Sequence, residues 1–245
     1  MAKKINIGTL ISGGGTNLQA IIDACASNQI DANIVFTGSD NPGAKGLERA
    51  QKAGIDTFVV DYSNIINACK KQIAAIDLPD DFNMDEILSR QKLVSDSSSN
   101  GQTHFFIKSR VIAERQMLDH VMSYDIDLLV LAGFMRVLTP YFIDRINIFP
   151  GQHRIMNIHP ALLPSFPGTD GYGDTFRYGC KIGGCTVHYV DYGEDTGPII
   201  GQKAFEIQDS DTLEDVKRKG LELEWALYPA CIQKFAESFF IQKKN

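Results

Sequence analysis

Ile5-Asn6-Ile7-Gly8-Thr9-Leu10-Ile11-Ser12-Gly13-Gly14-Gly15-Thr16-Asn17-Leu18 is the stretch whose reading decides the fold. The apolar run Ile5–Ile11, closed by Ser and Gly, reads as a buried strand, and Leu18, Ile21 and Ile22 then take up helical spacing. Adjacent glycines between the two let the backbone turn sharply with no Cβ in the way. Amide N–H groups and the positive end of the helix can then converge on an anion. The run is a candidate phosphate cradle; a tight strand-to-helix turn with no ligand is the plain alternative. It is neither the GxGxxG of dinucleotide sites nor a P-loop, since no Gly-Lys-Ser/Thr follows.

Outward from this turn the same alternation continues. Ile34–Thr37 and Thr57–Val60 read as strands, and Leu47–Ala53 as a helix stopped by Gly54, which suits a left-handed cap. Alternating β and α units imply a parallel sheet with helices on its faces. From Asp61 to Lys108 the pattern degrades, although Ile65, Ile66, Cys69, Ile73 and Ile76 keep helical spacing ahead of Pro79. The polar stretch Ser95 to Thr103 has no aliphatic or aromatic side chain and reads as a mobile spacer, not a lid. Beyond it Val111–Met122 reads as a helix, Leu128–Leu131 as a buried strand, Tyr141–Ile146 as a short helix and Ile155–Ile158 as a strand. Thr186–Val190 and Ile199–Phe205 read as antiparallel partners joined by Asp191–Pro198, and Thr212–Phe239 as a helix capped by Asp211 or Thr212. The expected fold is α/β: a single Rossmann-like open, mostly parallel twisted sheet with helices on both faces and an antiparallel strand near the C-terminal part. One domain, 1–245, with an insertion at about 62–108, accounts for the chain.

Composition narrows the function classes. The 245 residues are 44% hydrophobic, enough for one sizeable core, and the formal charge of −6 with scattered basic residues does not suit nucleic acid. Five widely spaced cysteines without a CxxC pair point away from a disulfide framework or structural zinc and toward a reducing compartment. The N-terminal apolar run is too short for a signal peptide and no run of 18 apolar residues follows, so a cytoplasmic protein with no membrane partner is expected.

Three further segments carry candidate chemistry. Asn157-Ile158-His159-Pro160 ends a buried strand, and alternation puts Asn157 and His159 on one face, where an amide donor and an imidazole can address one reacting atom. Such a pair suits acyl transfer, the amide donating to an oxygen that gains charge and the histidine carrying a proton near neutrality; a hydrogen-bonded strand-end histidine is the other reading. Asp195, in a loop bounded by Gly and Pro, could orient His159 or be a solvated turn residue. Leu131-Ala132-Gly133-Phe134-Met135-Arg136-Val137-Leu138 follows a central strand and could wall a slot for a flat heteroaromatic ring, or pack in the core.

Taken together, Ile11–Ala20, Leu131–Arg136, Asn157-Ile158-His159-Pro160-Ala161-Leu162-Leu163-Pro164 and Asp195-Thr196-Gly197-Pro198 resemble the phosphoribosylglycinamide formyltransferase family. The resemblance spans most of residues 4 to 60 and 108 to 240. It implies that Asn157, His159 and Asp195 are the catalytic trio. Gly15, Thr16 and Asn17 would hold the substrate phosphate, with Gly133, Pro160 and Glu224 also on the substrate. Arg110, Met135, Arg136, Val137, Leu138, Asn157 and the loop Asp191, Tyr192, Gly193, Glu194 and Asp195 would hold the folate. It further implies 10-formyltetrahydrofolate as co-substrate, glycinamide ribonucleotide as acceptor in purine biosynthesis, no metal, and a monomer or homodimer. A formyltetrahydrofolate hydrolase, a formyltransferase for another amine, and a non-catalytic phosphosugar- or folate-binding protein are the alternatives. Two stretches depart from the pattern: Phe166-Pro167-Gly168-Thr169-Asp170-Gly171-Tyr172-Gly173-Asp174, where a histidine-containing stretch is usual, and the insertion.

Overall fold

Parallel strands covered on both faces need continuous apolar runs, and that is how the centre of this chain is written. In the computed structural model, which describes residues 3–71, 78–93, 100–148 and 152–242, Leu128–Leu131 forms a strand with all four residues buried. Truncating any of these leucines to alanine would cost about 2–5 kcal/mol.

The elements run β1 (Ile5–Ile11), α1 (Thr16–Ala26), β2 (Ala32–Ser39), α2 (Gly46–Lys52), β3 (Asp56–Val59), α3 (Tyr62–Lys71), α4 (Met84–Arg90), α5 (Asn100–Val121), β4 (Leu128–Leu131), α6 (Pro140–Ile146), β5 (Ile155–His159), α7 (Gly171–Tyr178), β6 (Ile182–Tyr189), β7 (Ile199–Glu206) and α8 (Leu213–Gln242). They build one seven-stranded sheet in the order β3-β2-β1-β4-β5-β6-β7. β1 to β5 are parallel, and β6 pairs antiparallel with both β5 and β7, so β6 alone runs against the rest. The α/β architecture expected from the alternation is the one observed.

Side-chain alternation splits the core in two. Ile5, Ile7, Leu128, Val130, Met156 and Ile158 face α1, α2 and α8, while Leu10, Phe36, Leu129, Leu131 and Ile155 face α3 to α6. Asn157 and His159 continue the row begun by Ile155, and so point to the second side where β5 ends. Two caps expected from sequence are present: Gly54 takes φ 72° after α2, and Thr212 caps α8. The Thr212 Oγ1 accepts from the Asp215 amide at 3.3 Å while the Asp215 carboxylate accepts from the Thr212 amide at 3.0 Å. Tyr228, fully buried on α8, has its hydroxyl 3.0 and 2.9 Å from the carbonyls of Leu131 and Met156, donating to one at a time and pinning the helix to β4 and β5.

Departures from expectation fall within residues 62–108 and after Phe166. α5 begins at Asn100, eleven residues ahead of Val111, so Asn100 to Thr103 are helical and not part of a loop. The rest of the expected spacer, 95–99, and Ile73 and Ile76 lie outside the described residues. α4 was not legible; Asn83 caps it, its Oδ1 accepting from the Glu86 amide at 3.2 Å. Nor was α7, in the atypical stretch after Phe166, which Tyr172 and Phe176 tie to Val216 of α8 and to Phe205 and Ile207.

Candidate active site

The chain leaves β1 toward β2 and β3 on one side, and returns at β4 on the other, so the carboxyl ends of β1 and β4 flank a topological switch point. The two strand ends are fastened together there. The Ser12 amide donates to the Gly133 carbonyl at 3.0 Å, and the Ser12 hydroxyl accepts from the Met135 amide at 2.8 Å and donates to Asp40 Oδ1 at 2.5 Å. The other oxygen of Asp40, a residue 2% exposed, receives Arg136 Nε at 2.5 Å. Past these ends opens a cavity of about 420 Å³ with an apolar wall from Leu131, Met135, Val137 and Val190 and a polar end from Asn157, His159, His188 and Asp195.

At the polar end Asp195 is the hub. Its Oδ2 lies 3.2 Å from His159 Nδ1 and accepts the Gly168 amide at 2.9 Å; its Oδ1 lies 3.5 Å from His188 Nε2. Burial acts to raise its pKa, but bonds from His188 and Gly168 and the charge of the two histidines outweigh it and hold the carboxyl below its ordinary value. His159 Nε2 faces the Phe166 carbonyl at 2.7 Å. Both nitrogens of His159 thus face oxygen acceptors, and only the doubly protonated ring donates to both. His188 turns Nδ1 to the Tyr189 carbonyl at 2.9 Å and Nε2 to Asn157 Nδ2 at 3.3 Å. Pairing of β5 with β6 sets Asn157 opposite His188. Asp195 and Phe166 are both non-glycine residues at φ 55°, so strained backbone sits on both partners of His159.

The glycine loop runs from β1 into α1, where Asn17 lines the cavity. Gly15 takes φ 70° at the N-cap of α1, and a Cβ on it would stand 2.7 Å from the Gly46 Cα. The Gly46 amide and Arg49 Nε bind the carbonyls of Gly13 and Gly14, both at 2.9 Å. Those carbonyls are thereby taken up by α2, while among the described residues the amides of Gly15, Thr16 and Asn17 have no intramolecular acceptor. Asn17 donates through Nδ2 to Glu224 Oε2 at 2.7 Å, and its Oδ1 is buried with no partner. Glu224 Oε1 accepts the Tyr172 hydroxyl at 2.6 Å. Burial raises the Glu224 pKa, against the bonds from Asn17 and Tyr172 that lower it. Thr16, Gln19, Arg49 and Trp225, the last 40% exposed, line a shallow groove beside the loop.

Of the residues singled out in the sequence, Asn17, Gly133, Met135, Arg136, Val137, Asn157, His159, Pro160, Gly193, Glu194, Asp195 and Glu224 line the one cavity. Gly15 and Thr16, at the start of α1, do not line it, Thr16 facing a neighbouring groove, and Leu138 is buried. Asp191 and Tyr192 face an adjoining groove beside α6. Arg110 stands over the rings of Tyr62 and Phe106, 5.9 and 5.3 Å from their centroids, with Nε and Nη1 buried and unpartnered; burial, with Arg136 second, lowers its pKa. The structure adds Asp40, Tyr172 and His188. An acidic residue just past a parallel strand was a readable signal for Asp40; His188 had none, because its place opposite Asn157 depends on antiparallel register. Among the described residues no group of three or more His, Cys, Asp or Glu is arranged to hold a metal ion, and no helix is long and apolar enough to cross a membrane.

Residues 5–232 match the family described as formyl transferase. The chain is similar to the phosphoribosylglycinamide formyltransferase of Escherichia coli, 33% identical over 98% of this chain and 92% of the relative, and to that of Bacillus subtilis, 31% identical over 91% and 90%. The solved structure of glycinamide ribonucleotide transformylase 1 from Symbiobacterium toebii is similar at a TM-score of 0.73, with 34% identity, 97% of this chain and 90% of that chain covered.

Proposed function

The chain belongs to the formyl transferase family, and from that premise we propose that it moves the formyl group of 10-formyltetrahydrofolate onto the amine of glycinamide ribonucleotide, with Asn157, His159 and Asp195 at the reacting centre. The observation that carries the reading is the Asp195 carboxylate held between His159 and His188, at 3.2 and 3.5 Å, beside Asn157 at the end of β5.

The folate supplies an electrophilic formyl carbon. Its ring system fits the apolar wall of Leu131, Met135, Val137 and Val190, with Arg136 and the Asp191–Asp195 loop at the rim. The acceptor's phosphate fits the free amides of Gly15, Thr16 and Asn17. The unpartnered Asn17 Oδ1 and the carboxylate of Glu224 offer acceptors to its hydroxyl and amine hydrogens. The amine then meets the formyl carbon between the two subsites.

As the amine attacks, negative charge gathers on the formyl oxygen. Asn157 Nδ2–H and His159 Nε2–H are the donors for it. His159 reaches it by exchanging the Phe166 carbonyl for that oxygen, one acceptor for another, while Asp195 keeps Nδ1–H in place. The adduct then collapses: the bond from the formyl carbon to the folate nitrogen breaks, and the proton lost by the amine passes by way of Asp195 and the imidazole to that nitrogen, so that tetrahydrofolate leaves neutral. Donors of this kind act only on charge that develops in the transition state, and each contributes about 3 kcal/mol, roughly two orders of magnitude in rate.

The test is formyl transfer with glycinamide ribonucleotide beside a control in which water is the only acceptor. Turnover should depend on the amine, and Asn157→Ala and His159→Ala should each lose about a hundredfold in kcat while staying folded. Equal formate release without the amine would make the protein a hydrolase. Affinity for both ligands without turnover would make it a binding protein.

A further inference from the structure

Part of the inserted segment, Asp81 to Lys92, reaches across α6 to the loop that carries Asp195. The Lys92 amide donates to the Tyr192 carbonyl at 2.9 Å, backbone to backbone. Asp144 on α6 is held from both sides, Oδ1 receiving the Tyr192 hydroxyl at 2.5 Å and Oδ2 receiving Arg90 Nη1 at 2.8 Å. The Tyr192 ring belongs to the same apolar cluster as Phe82, Met84, Ile87 and Leu88. Inside the loop, Asp191 Oδ1 accepts the Gly193 amide at 3.1 Å and the Thr196 hydroxyl at 2.6 Å, so the loop is bonded to itself. Its two ends are fixed by the sheet, through Val190 N–H to the Ile155 carbonyl at 3.0 Å and Tyr189 N–H to the Pro198 carbonyl at 2.9 Å. The apex is fixed by the contacts at Tyr192. Only Gly193 and Glu194 separate Tyr192 from Asp195, whose left-handed backbone needs such restraint to persist.

We infer that residues 82–92 are a positioning brace: they hold the apex of the Asp191–Asp195 loop, and through it the folate-side rim of the cavity and the carboxylate that orients His159. The inference rests on the reading of that loop as the folate rim given above. The segment has its own anchor away from the loop, since Asp81 binds Arg145 Nη2 at 2.5 Å and the Tyr141 hydroxyl at 3.1 Å. Cutting the contacts at Tyr192 therefore frees the loop without undocking α4. The brace acts on one substrate side, since the segment's bonds run to Tyr192 and to Tyr141, Asp144 and Arg145 of α6, while the glycine loop and Glu224 belong to the β1–α1 turn and to α8.

Lys92→Pro deletes the amide donor, while Lys92→Ala keeps it. Gln91 already has φ −67° and ψ 143°, the backbone required before a proline. Tyr192→Phe is the second variant, removing only the hydroxyl that binds Asp144. With the full-length chain, Lys92→Pro should raise KM for 10-formyltetrahydrofolate about tenfold, the effect of losing one hydrogen bond worth about 1.4 kcal/mol, with KM for glycinamide ribonucleotide within about twofold. Hydrogen exchange of amides 191–196 should quicken about tenfold and that of β4 and β5 should not change. Lys92→Ala should match the parent, and Tyr192→Phe should move the same two readouts in the same direction. Unchanged loop exchange in a folded Lys92→Pro protein, or equal change in both KM values, overturns the brace. If the parent chain transfers no formyl group, the functional reading fails and the exchange measurement alone decides the brace.

Discussion

Replacing Glu114 by glutamine should flatten a pH dependence of stability that the native chain carries in its interior. Glu114 lies fully buried on α5, Oε1 accepting the Thr139 amide at 2.7 Å and Oε2 the Thr139 hydroxyl at 2.5 Å. Burial pushes its pKa from 4.5 to about 7, against the Thr139 bonds and the charges of Arg110 and Arg145, which lower it. Below pH 4.5 both the folded and the unfolded chain hold this proton, and the full stability is present. Between 4.5 and about 7 only the folded chain holds it, so stability falls with rising pH by about 1.4 kcal/mol per unit. Above about 7 the whole penalty stands, and 7 minus 4.5 gives 2.5 units, about 3 kcal/mol. Glutamine has the same shape, can accept the Thr139 amide and donate to its hydroxyl, and has nothing to ionise. Urea unfolding of both proteins at pH 5, 6, 7 and 8 should show the variant gaining on the parent up to about pH 7, by about 3 kcal/mol across the full window. A difference that stays constant with pH would refute the assignment of a protonated Glu114 in the folded protein.

Asp195→Asn should keep the fold's backbone, since asparagine tolerates the φ of 55° there, yet lose about a hundredfold or more in kcat because a donor replaces an acceptor beside His159; a kcat within threefold of the parent would remove Asp195 from the reacting centre. The lowered pKa of Asp195 also sets a sign: its stabilisation is present above its unfolded value near 3.8 and lost as pH falls through the lower folded one, so the variant's stability deficit should close on acidification. Gly15→Ala should cost about 2 kcal/mol, from a positive φ and a Cβ 2.7 Å from the Gly46 Cα, whereas Gly14→Ala, where an added Cβ meets nothing within 4 Å, should leave the thermal midpoint nearly unchanged. By calorimetry Gly15→Ala should weaken glycinamide ribonucleotide and spare the folate, and equal loss for both would reject the anion role of the loop.

The sheet was legible because its central strands are covered on both faces: Ile5–Ile11 and Leu128–Leu131 are runs that only a doubly covered strand or a buried helix needs, and their length settles which. The glycine turn and the caps at Gly54 and Thr212 were legible for local reasons, since backbone geometry at those positions restricts the residue. α7 was hidden because Gly171 and Gly173 disfavour a helix by propensity, and the helix exists through its packing on α8. The start of α5 was hidden because its first turn, Asn100 to Thr103, is polar on every side. Asn157 and His159 could be set on one face by alternation alone. The second histidine on Asp195 could not be foreseen, because it comes from pairing Asn157 with His188 across two strands that run in opposite directions.

Trp225 is the only tryptophan in the chain, and it follows Glu224 directly, beside Thr16, Gln19 and Arg49 in the groove next to the glycine loop. Indole emission shifts with the polarity of what surrounds the ring. On the proposed reading a ligand phosphate arriving at Gly15 to Asn17 would change that surrounding, whereas Met135, Val137 and Val190 line the main cavity and not the groove of Trp225. Ultraviolet excitation of the unlabelled protein would therefore report on the proposed anion side of the site, and the order in which the two substrates arrive becomes something a fluorimeter can follow.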